Sequence, residues 1–228
     1  KVERLCPEGP LPMHLNSHAE YYLGGAANVA QILQSNKISC DLVGILGSDS
    51  AGKKIKKLCS EINLNIIDYK DLKSPTVEKI RYVAENRQIF RHDVEKQFDP
   101  SLLLHSIRKN VSILNYQNII LSDYGKGTIN DCNKLIKLFS PNAKIFVDPS
   151  KRDYKEYCGA YLIKPNKKEF LNQLNLYENY TGDINIKNIN FKSILQKWQI
   201  KNIVITLGSE GAIAANQKGE VYHVRAPN

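Results

Sequence analysis

The sequence predicts an α/β fold built on a doubly wound, mostly parallel sheet. Short apolar, β-branched runs alternate with amphipathic helical segments, and polar clusters follow the carboxyl ends of several of those runs. The runs are continuously apolar rather than apolar at every second residue. Alternation at this spacing indicates βαβ units. Continuous apolar runs indicate strands covered on both faces. In open sheets of this kind ligands bind beyond the carboxyl ends of the strands.

Taken in order, Asp41–Gly47 (DLVGILG) is a buried strand, and Ala51–Ile62 is a helix whose apolar stripe is Ile55, Leu58 and Ile62. The polar, β-branched stretch Thr76–Val94 predicts two antiparallel strands joined at Asn86. Ser101–Leu114 has helical periodicity, Asn118–Ser122 is a short buried strand, and Asn130–Phe139 is a helix. Strands Lys144–Asp148 and Ala160–Lys164 lead to a helix opening at Asn166. A helix near Phe191–Trp198 precedes strand Asn202–Thr206, and Ala212–Asn216 and Glu220–Arg225 close the chain as a hairpin.

With 228 residues, 42% of them hydrophobic and 24% charged, the chain has the balance of a single globular domain and not of a disordered one. No apolar run approaches the roughly 18–20 residues of a membrane helix, and Lys1-Val2-Glu3-Arg4 opens no signal peptide. Cys6, Cys40, Cys59, Cys132 and Cys158 are scattered and form no Cys-x-x-Cys pair. They argue against a disulfide framework or a zinc site, and a reducing cytoplasm is expected. The formal charge of +9 suits an acidic partner. Lys53, Lys54, Lys56 and Lys57 resemble a nucleic-acid patch, but the apolar stripe between them marks a solvated helix face.

Several clusters each allow two readings. Gly24-Gly25-Ala26-Ala27-Asn28 runs into an apolar helix. It is either a tight turn or a helix N-terminus open to a ligand, with the Asn28 amide facing hydroxyl groups. Asn166-Lys167-Lys168-Glu169 is a capping box, or a group set near phosphates and a hydrated magnesium ion. Thr206-Leu207-Gly208-Ser209-Glu210-Gly211 is a hairpin loop or a phosphate-wrapping one. Arg81, Arg91 and Asp93 alternate with apolar residues as solvated strand positions or as phosphate ligands. The histidines show neither metal spacing nor a nucleophile partner.

In this order the clusters resemble the ribokinase-like (PfkB) family of sugar kinases, with their Gly-Gly, Asn-x-x-Glu and Thr/Ser-x-Gly motifs. Within it the chain is most similar to bacterial heptose 7-phosphate kinases. That likeness rests on Cys6–Pro12 (CPEGPLP), Gly24–Ala30 (GGAANVA), Leu121–Gly127 (LSDYGKG), Val147–Pro149 and Lys79-x-Arg81…Gln88-x-x-Arg91-x-Asp93-x-Glu95. Two departures stand out: Ser150-Lys151 occupies the place of Lys-Gly, and Lys164 that of a Thr.

The resemblance implies one ribokinase-like domain over residues 1–228, with a small β lid from about 1–22 and 76–94 that pairs two subunits. It implies ATP-dependent phosphorylation of D-glycero-β-D-manno-heptose 7-phosphate at C1, a step toward ADP-heptose for the lipopolysaccharide core. Gly24, Gly25, Asn28, Arg81, Arg91, Asp93, Asp123 and Lys126 are the expected sugar-phosphate contacts. Asn166, Lys167, Lys168, Glu169, Thr206, Gly208 and Gly211 are the expected nucleotide contacts, with Glu169 reaching Mg²⁺ through water. The family's Gly-Ala-Gly-Asp segment, which carries the catalytic Asp, is not among the 228 residues, and neither is its first strand. The expectation is a piece truncated at both ends, with negligible turnover alone.

Overall fold

The computed structural model describes residues 2–5, 12–14, 18–71, 74–84, 87–95, 100–109, 115–125, 128–178 and 186–227. They divide into two compact units, Lys1–Phe98 and Asp99–Asn228.

In the first unit, β1 (Val2–Leu5) and β2 (Pro12–His14) pair antiparallel. Helix α1 (Gly25–Ser35) follows, and then β3 (Asp41–Gly47), α2 (Ser50–Glu61) and β4 (Asn65–Asp71) form a βαβ unit with β3 and β4 parallel. Leu23, Ala27, Ala30, Leu42, Cys59 and Leu64 pack as its core. β5 (Glu78–Ala84) and β6 (Arg87–Val94) make a separate antiparallel ribbon within the predicted Thr76–Val94 stretch, and Asn86, the expected joint, lies outside the described residues. β4 escapes sequence reading because Asp68, Lys70 and Asp71 interrupt its apolar run, and among the described residues it pairs with β3 alone.

The second unit contains α3 (Pro100–Lys109), β7 (Asn118–Ser122), α4 (Cys132–Phe139), β8 (Lys144–Asp148), β9 (Leu162–Ile163) and α5 (Lys167–Glu178). It ends with α6 (Phe191–Trp198), β10 (Asn202–Thr206), β11 (Ala212–Asn216) and β12 (Val221–Val224). The six-stranded sheet has the order β12-β11-β10-β9-β8-β7. β7 to β10 run parallel, β11 pairs antiparallel with β10, and β12 pairs antiparallel with β11. This is the mixed, mostly parallel α/β sheet expected.

Several boundaries differ from the sequence reading. α4 begins at Cys132 rather than Asn130, because Asp131 stops the chain as an N-cap and accepts the Lys134 N–H at 2.9 Å. The Ala160–Lys164 strand shrinks to two residues, although Tyr161 and Lys164 still donate N–H groups to Ile145 and Val147 of β8. The described part of the predicted Ser101–Leu114 helix ends at Lys109, and residues 110–114 lie outside the described set.

The sheet needs cover on each face, and aromatic residues supply much of it. Tyr154, Tyr157, Phe170, Phe191 and Trp198 are fully buried. Edge-to-face contacts of Trp198 with Tyr154 at 5.1 Å and Phe170 at 6.1 Å fix α5 and α6 against the Tyr154–Tyr157 3-10 turn. Among the described residues no helix is long and apolar enough to cross a membrane.

Candidate functional site

Parallel strands bring their carboxyl ends to one edge, and in the second unit that edge collects Asp123 and Tyr124 after β7, Asp148 at the end of β8, Lys164 and Asn166 after β9, and Thr206 at the end of β10. Asn166 and Glu169 form a reciprocal capping box: the Asn166 carboxamide accepts the Glu169 N–H at 2.9 Å, and Glu169 Oε2 accepts the Asn166 N–H at 2.9 Å. Asn166 also forms a parallel bridge to Thr206, whose N–H donates to Pro165 O at 3.1 Å. The two motifs are therefore one structural feature. Lys167 reaches across it to Glu210 at 3.3 Å, Lys164 pairs with Asp148 at 3.0 Å, and Lys168 is exposed. Burial, and then the Asp148 charge, push the Tyr124 phenol up.

The two glycines of the 206–211 loop differ in kind. Gly208, at φ 63°, has open space where a Cβ would stand. Gly211, at φ 97°, would put a Cβ 2.0 Å from Val224 O and 2.7 Å from the Ala226 N. Gly208 leaves room for a ligand, whereas Gly211 admits the returning chain.

Asp123 faces inward. Its side chain is 1% exposed. Oδ2 accepts from the Tyr157 hydroxyl at 2.9 Å, the Ser150 hydroxyl at 3.1 Å, Arg152 Nε at 2.8 Å and the Cys132 thiol at 3.3 Å, and Oδ1 takes the Gly125 N–H at 2.9 Å. Burial first, and with it the Asp123 charge, push the Cys132 thiol and the Tyr157 phenol far up, so both remain protonated donors. Burial works against the Arg152 charge, but the adjacent Asp123 outweighs it and raises the guanidinium. This carboxylate is occupied by the chain's own donors, Gly125 just after β7 among them. Lys126 lies outside the described residues.

In the first unit, Gly24 is the N-cap of α1, with no side chain over it and open space at its Cβ position, and Gly25 has φ 54°. The Gly24 carbonyl accepts the N–H groups of Ala27 and Asn28, and the Asn28 side chain is exposed. On the ribbon, Lys79 faces Asp93 and Arg81 faces Arg91 across the strands, while Ile80 faces His92 and Tyr82 faces Phe90. Because side chains alternate, one face carries the charges and the other the rings. Two opposed arginines repel, and Asp93 relieves this by accepting from Arg91 Nε at 2.7 Å.

Sequence reasoning missed two clusters. Asp49 caps α2 by accepting the Gly52 N–H at 2.8 Å, and it takes both the N–H and the hydroxyl of Thr76 at 2.7 Å. The Thr76 hydroxyl in turn accepts the Gly47 N–H at 2.9 Å, and a Cβ on Gly52 would meet Gly47 O at 2.4 Å. Partial burial acts to raise the Asp49 carboxyl, but these hydrogen bonds outweigh it and hold it below its ordinary value. The signal was the Gly47-x-Asp49-x-x-Gly52 spacing. The second missed cluster is the set of donors around Asp123, which come from distant positions.

The sequence pattern of the pfkB family of carbohydrate kinases matches residues 2–228. The bifunctional protein HldE of Haemophilus influenzae (strain PittGG) is 31% identical over 232 residues, covering 98% of this chain and 46% of that protein. HldE of Histophilus somni (strain 129Pt) is 36% identical over 172 residues, 74% of this chain and 36% of that protein. The chain thus spans less than half the length of these curated relatives. Among solved structures, phosphofructokinase-2 from Escherichia coli in complex with substrates and products matches with a TM-score of 0.70 at 19% identity, over 90% of this chain and 67% of that one. Ribokinase from Giardia lamblia matches with a TM-score of 0.67 at 16% identity, over 90% and 66%.

Proposed function

The chain belongs to the pfkB family of carbohydrate kinases, and from that premise we propose that it is the kinase part of an enzyme that phosphorylates a sugar phosphate from ATP. The acceptor in this reading is the C1 hydroxyl of D-glycero-β-D-manno-heptose 7-phosphate, the step that leads toward ADP-heptose and the lipopolysaccharide core in the cytoplasm. The observation that carries the reading is the joining of Asn166–Glu169 to Thr206–Gly208 at the carboxyl ends of β9 and β10. It supports a nucleotide site where an open parallel sheet binds ligands.

In this proposal Gly208 lets the triphosphate approach the backbone, Asn166 and Lys167 face the phosphates, and Thr206, Lys168 and Gly211 frame the loop. Arg81, Arg91 and Asp93 on the charged ribbon face, with Gly24, Gly25 and Asn28, meet the sugar phosphate. Asp123, buried among the chain's own donors, is left out of that set. No residue of the 228 is assigned as the general base.

The residues present fit a hydrated magnesium ion. Glu169 commits only Oε2 to the cap, leaving Oε1 for a metal-bound water. Among the described residues no group of three or more His, Cys, Asp or Glu could hold a metal directly, and magnesium usually keeps several waters and leans on substrate phosphates. Bound there, the ion would neutralise charge on the transferring phosphate.

The partner of the ribbon is a second copy of the chain. Tyr82 and Phe90 stack at 4.1 Å on the apolar face, yet Tyr82 is 39% and Phe90 53% exposed. A lone two-stranded ribbon is marginal in water, so an apolar face of this kind calls for cover.

The test is ATP-to-ADP turnover by the full-length protein with heptose 7-phosphate, ribose and fructose 6-phosphate. Turnover confined to the heptose supports the reading. Preference for another sugar moves it to another substrate of the family, and no turnover on any sugar leaves a non-catalytic dimerising module.

A further inference from the structure

We propose that Lys167 and Glu210 form a latch across the nucleotide motif: with no nucleotide bound the Glu210 carboxylate holds Lys167, and ATP binds by taking the lysine from it. The inference rests on the nucleotide site proposed above and adds to it the group that phosphate must displace. Lys167 is the first residue of α5, beside the Asn166–Glu169 box, and Glu210 belongs to the loop that follows β10. Lys167 Nζ and Glu210 Oε1 stand 3.3 Å apart, joining positions 43 apart in the sequence. The pair therefore closes over the same two segments that the Asn166–Thr206 bridge brings together.

Helix stability alone does not explain these charges. A helix carries partial positive charge at its N-terminus, where lysine is an unfavourable choice. α5 nevertheless opens with Lys167 and Lys168. Glu210 supplies a compensating anion from another element, the role that phosphate takes when nucleotide is bound. The loop backbone delivers that carboxylate. His223 of β12 donates Nε2–H to Glu210 O at 3.1 Å, Leu207 donates N–H to Gly211 O at 2.8 Å, and Gly211 donates N–H to Gly208 O at 3.1 Å. The two side chains stay open to solvent, 48% exposed for Lys167 and 64% for Glu210. The pair can thus exchange partners without unpacking the core. A triphosphate carries several negative charges against the one on Glu210, so it wins the lysine, but only after the pair is broken.

Glu210→Gln keeps the size of the side chain and removes its charge. In the full-length protein with magnesium, the calorimetric Kd values for ATP and ADP should fall about three- to fivefold, near the upper end of what an exposed ion pair contributes. The gain should fade as salt is raised from about 0.05 to 0.5 M, because exposed charges are screened. Binding of adenosine, which has no phosphate to compete for Lys167, should not change. Lys167→Met should weaken ATP binding, and adding Glu210→Gln to it should then gain less than about 1.5-fold, since the double-mutant cycle isolates the pair. An equal gain with and without the lysine would overturn the latch and leave plain repulsion between Glu210 and phosphate. Weaker ATP binding in Glu210→Gln would also overturn it, making Glu210 a nucleotide contact. A gain that extends to adenosine would do the same, showing a reshaped loop. If the unsubstituted protein binds no ATP, the nucleotide site fails and the latch with it, whereas ATP bound with none of these gains overturns the latch alone.

Discussion

Replacing each glycine of the 206–211 loop by alanine should separate ligand space from packing space. At Gly208 the new methyl meets nothing within 4 Å, so the cost is that of a left-handed backbone, φ 63°, on a residue with a Cβ. That is roughly 1–2 kcal/mol, or about 2–8 °C in Tm for a domain of this size. At Gly211 the methyl would stand 2.0 Å from Val224 O, inside a contact with backbone that cannot swing aside, and φ is 97°. Backbone strain of roughly 1–3 kcal/mol adds to overpacking of roughly 1–3 kcal/mol. Thermal unfolding by circular dichroism and steady-state kinetics at varied ATP are the assays. Gly208→Ala should fold, with a KM for ATP raised at least about fivefold and the KM for the sugar nearly unchanged. Gly211→Ala should lose at least twice as much stability as Gly208→Ala. Equal stability losses, or an unchanged ATP KM in Gly208→Ala, would refute the division of roles.

Other outcomes follow from the same geometry. Because the fold holds the Asp49 carboxyl below its ordinary value, its contribution is complete above about pH 4 and is lost as pH falls through the folded value. Urea midpoints measured against pH should therefore fall less steeply on acidification in Asp49→Asn, and an identical slope would contradict this. Asn166→Ala removes the acceptor of the Glu169 N–H, should cost about 1 kcal/mol, and should raise the KM for ATP; calorimetry and kinetics read the two effects separately. Tyr82→Lys on the ring face of the ribbon should turn a dimer into a monomer in analytical ultracentrifugation, and a persisting dimer would exclude the ribbon as the interface.

Where structure follows from local pattern, the sequence was legible. Asn118–Ser122, Lys144–Asp148, Asn202–Thr206 and Ala212–Asn216 stand where their apolar runs predict. The capping box could be read from Asn166 and Glu169 because helix entry is a matter of four residues. β4 was hidden because its charged residues break the apolar run. The site was legible only in its local parts. That Asn166 touches Thr206 is a consequence of β9 and β10 pairing, and sequence spacing does not state it. Asp123 was expected as a ligand contact because the Leu121–Gly127 segment resembles that of the related kinases and follows the carboxyl end of a strand. Its partners Ser150, Arg152 and Tyr157 lie 27 to 34 positions away and arrive only through the fold. Gly211 likewise resembled a phosphate-loop glycine, and only the returning β12 tail reveals what its missing side chain makes room for.

The most direct measurement is phosphorus and proton NMR of the reaction of the full-length protein with ATP, magnesium and heptose 7-phosphate. A new phosphate signal coupled to the anomeric proton, appearing in step with ADP, is the predicted result. ADP formed with free phosphate and no new sugar phosphate, or phosphate attached at any other carbon, would contradict phosphoryl transfer to C1.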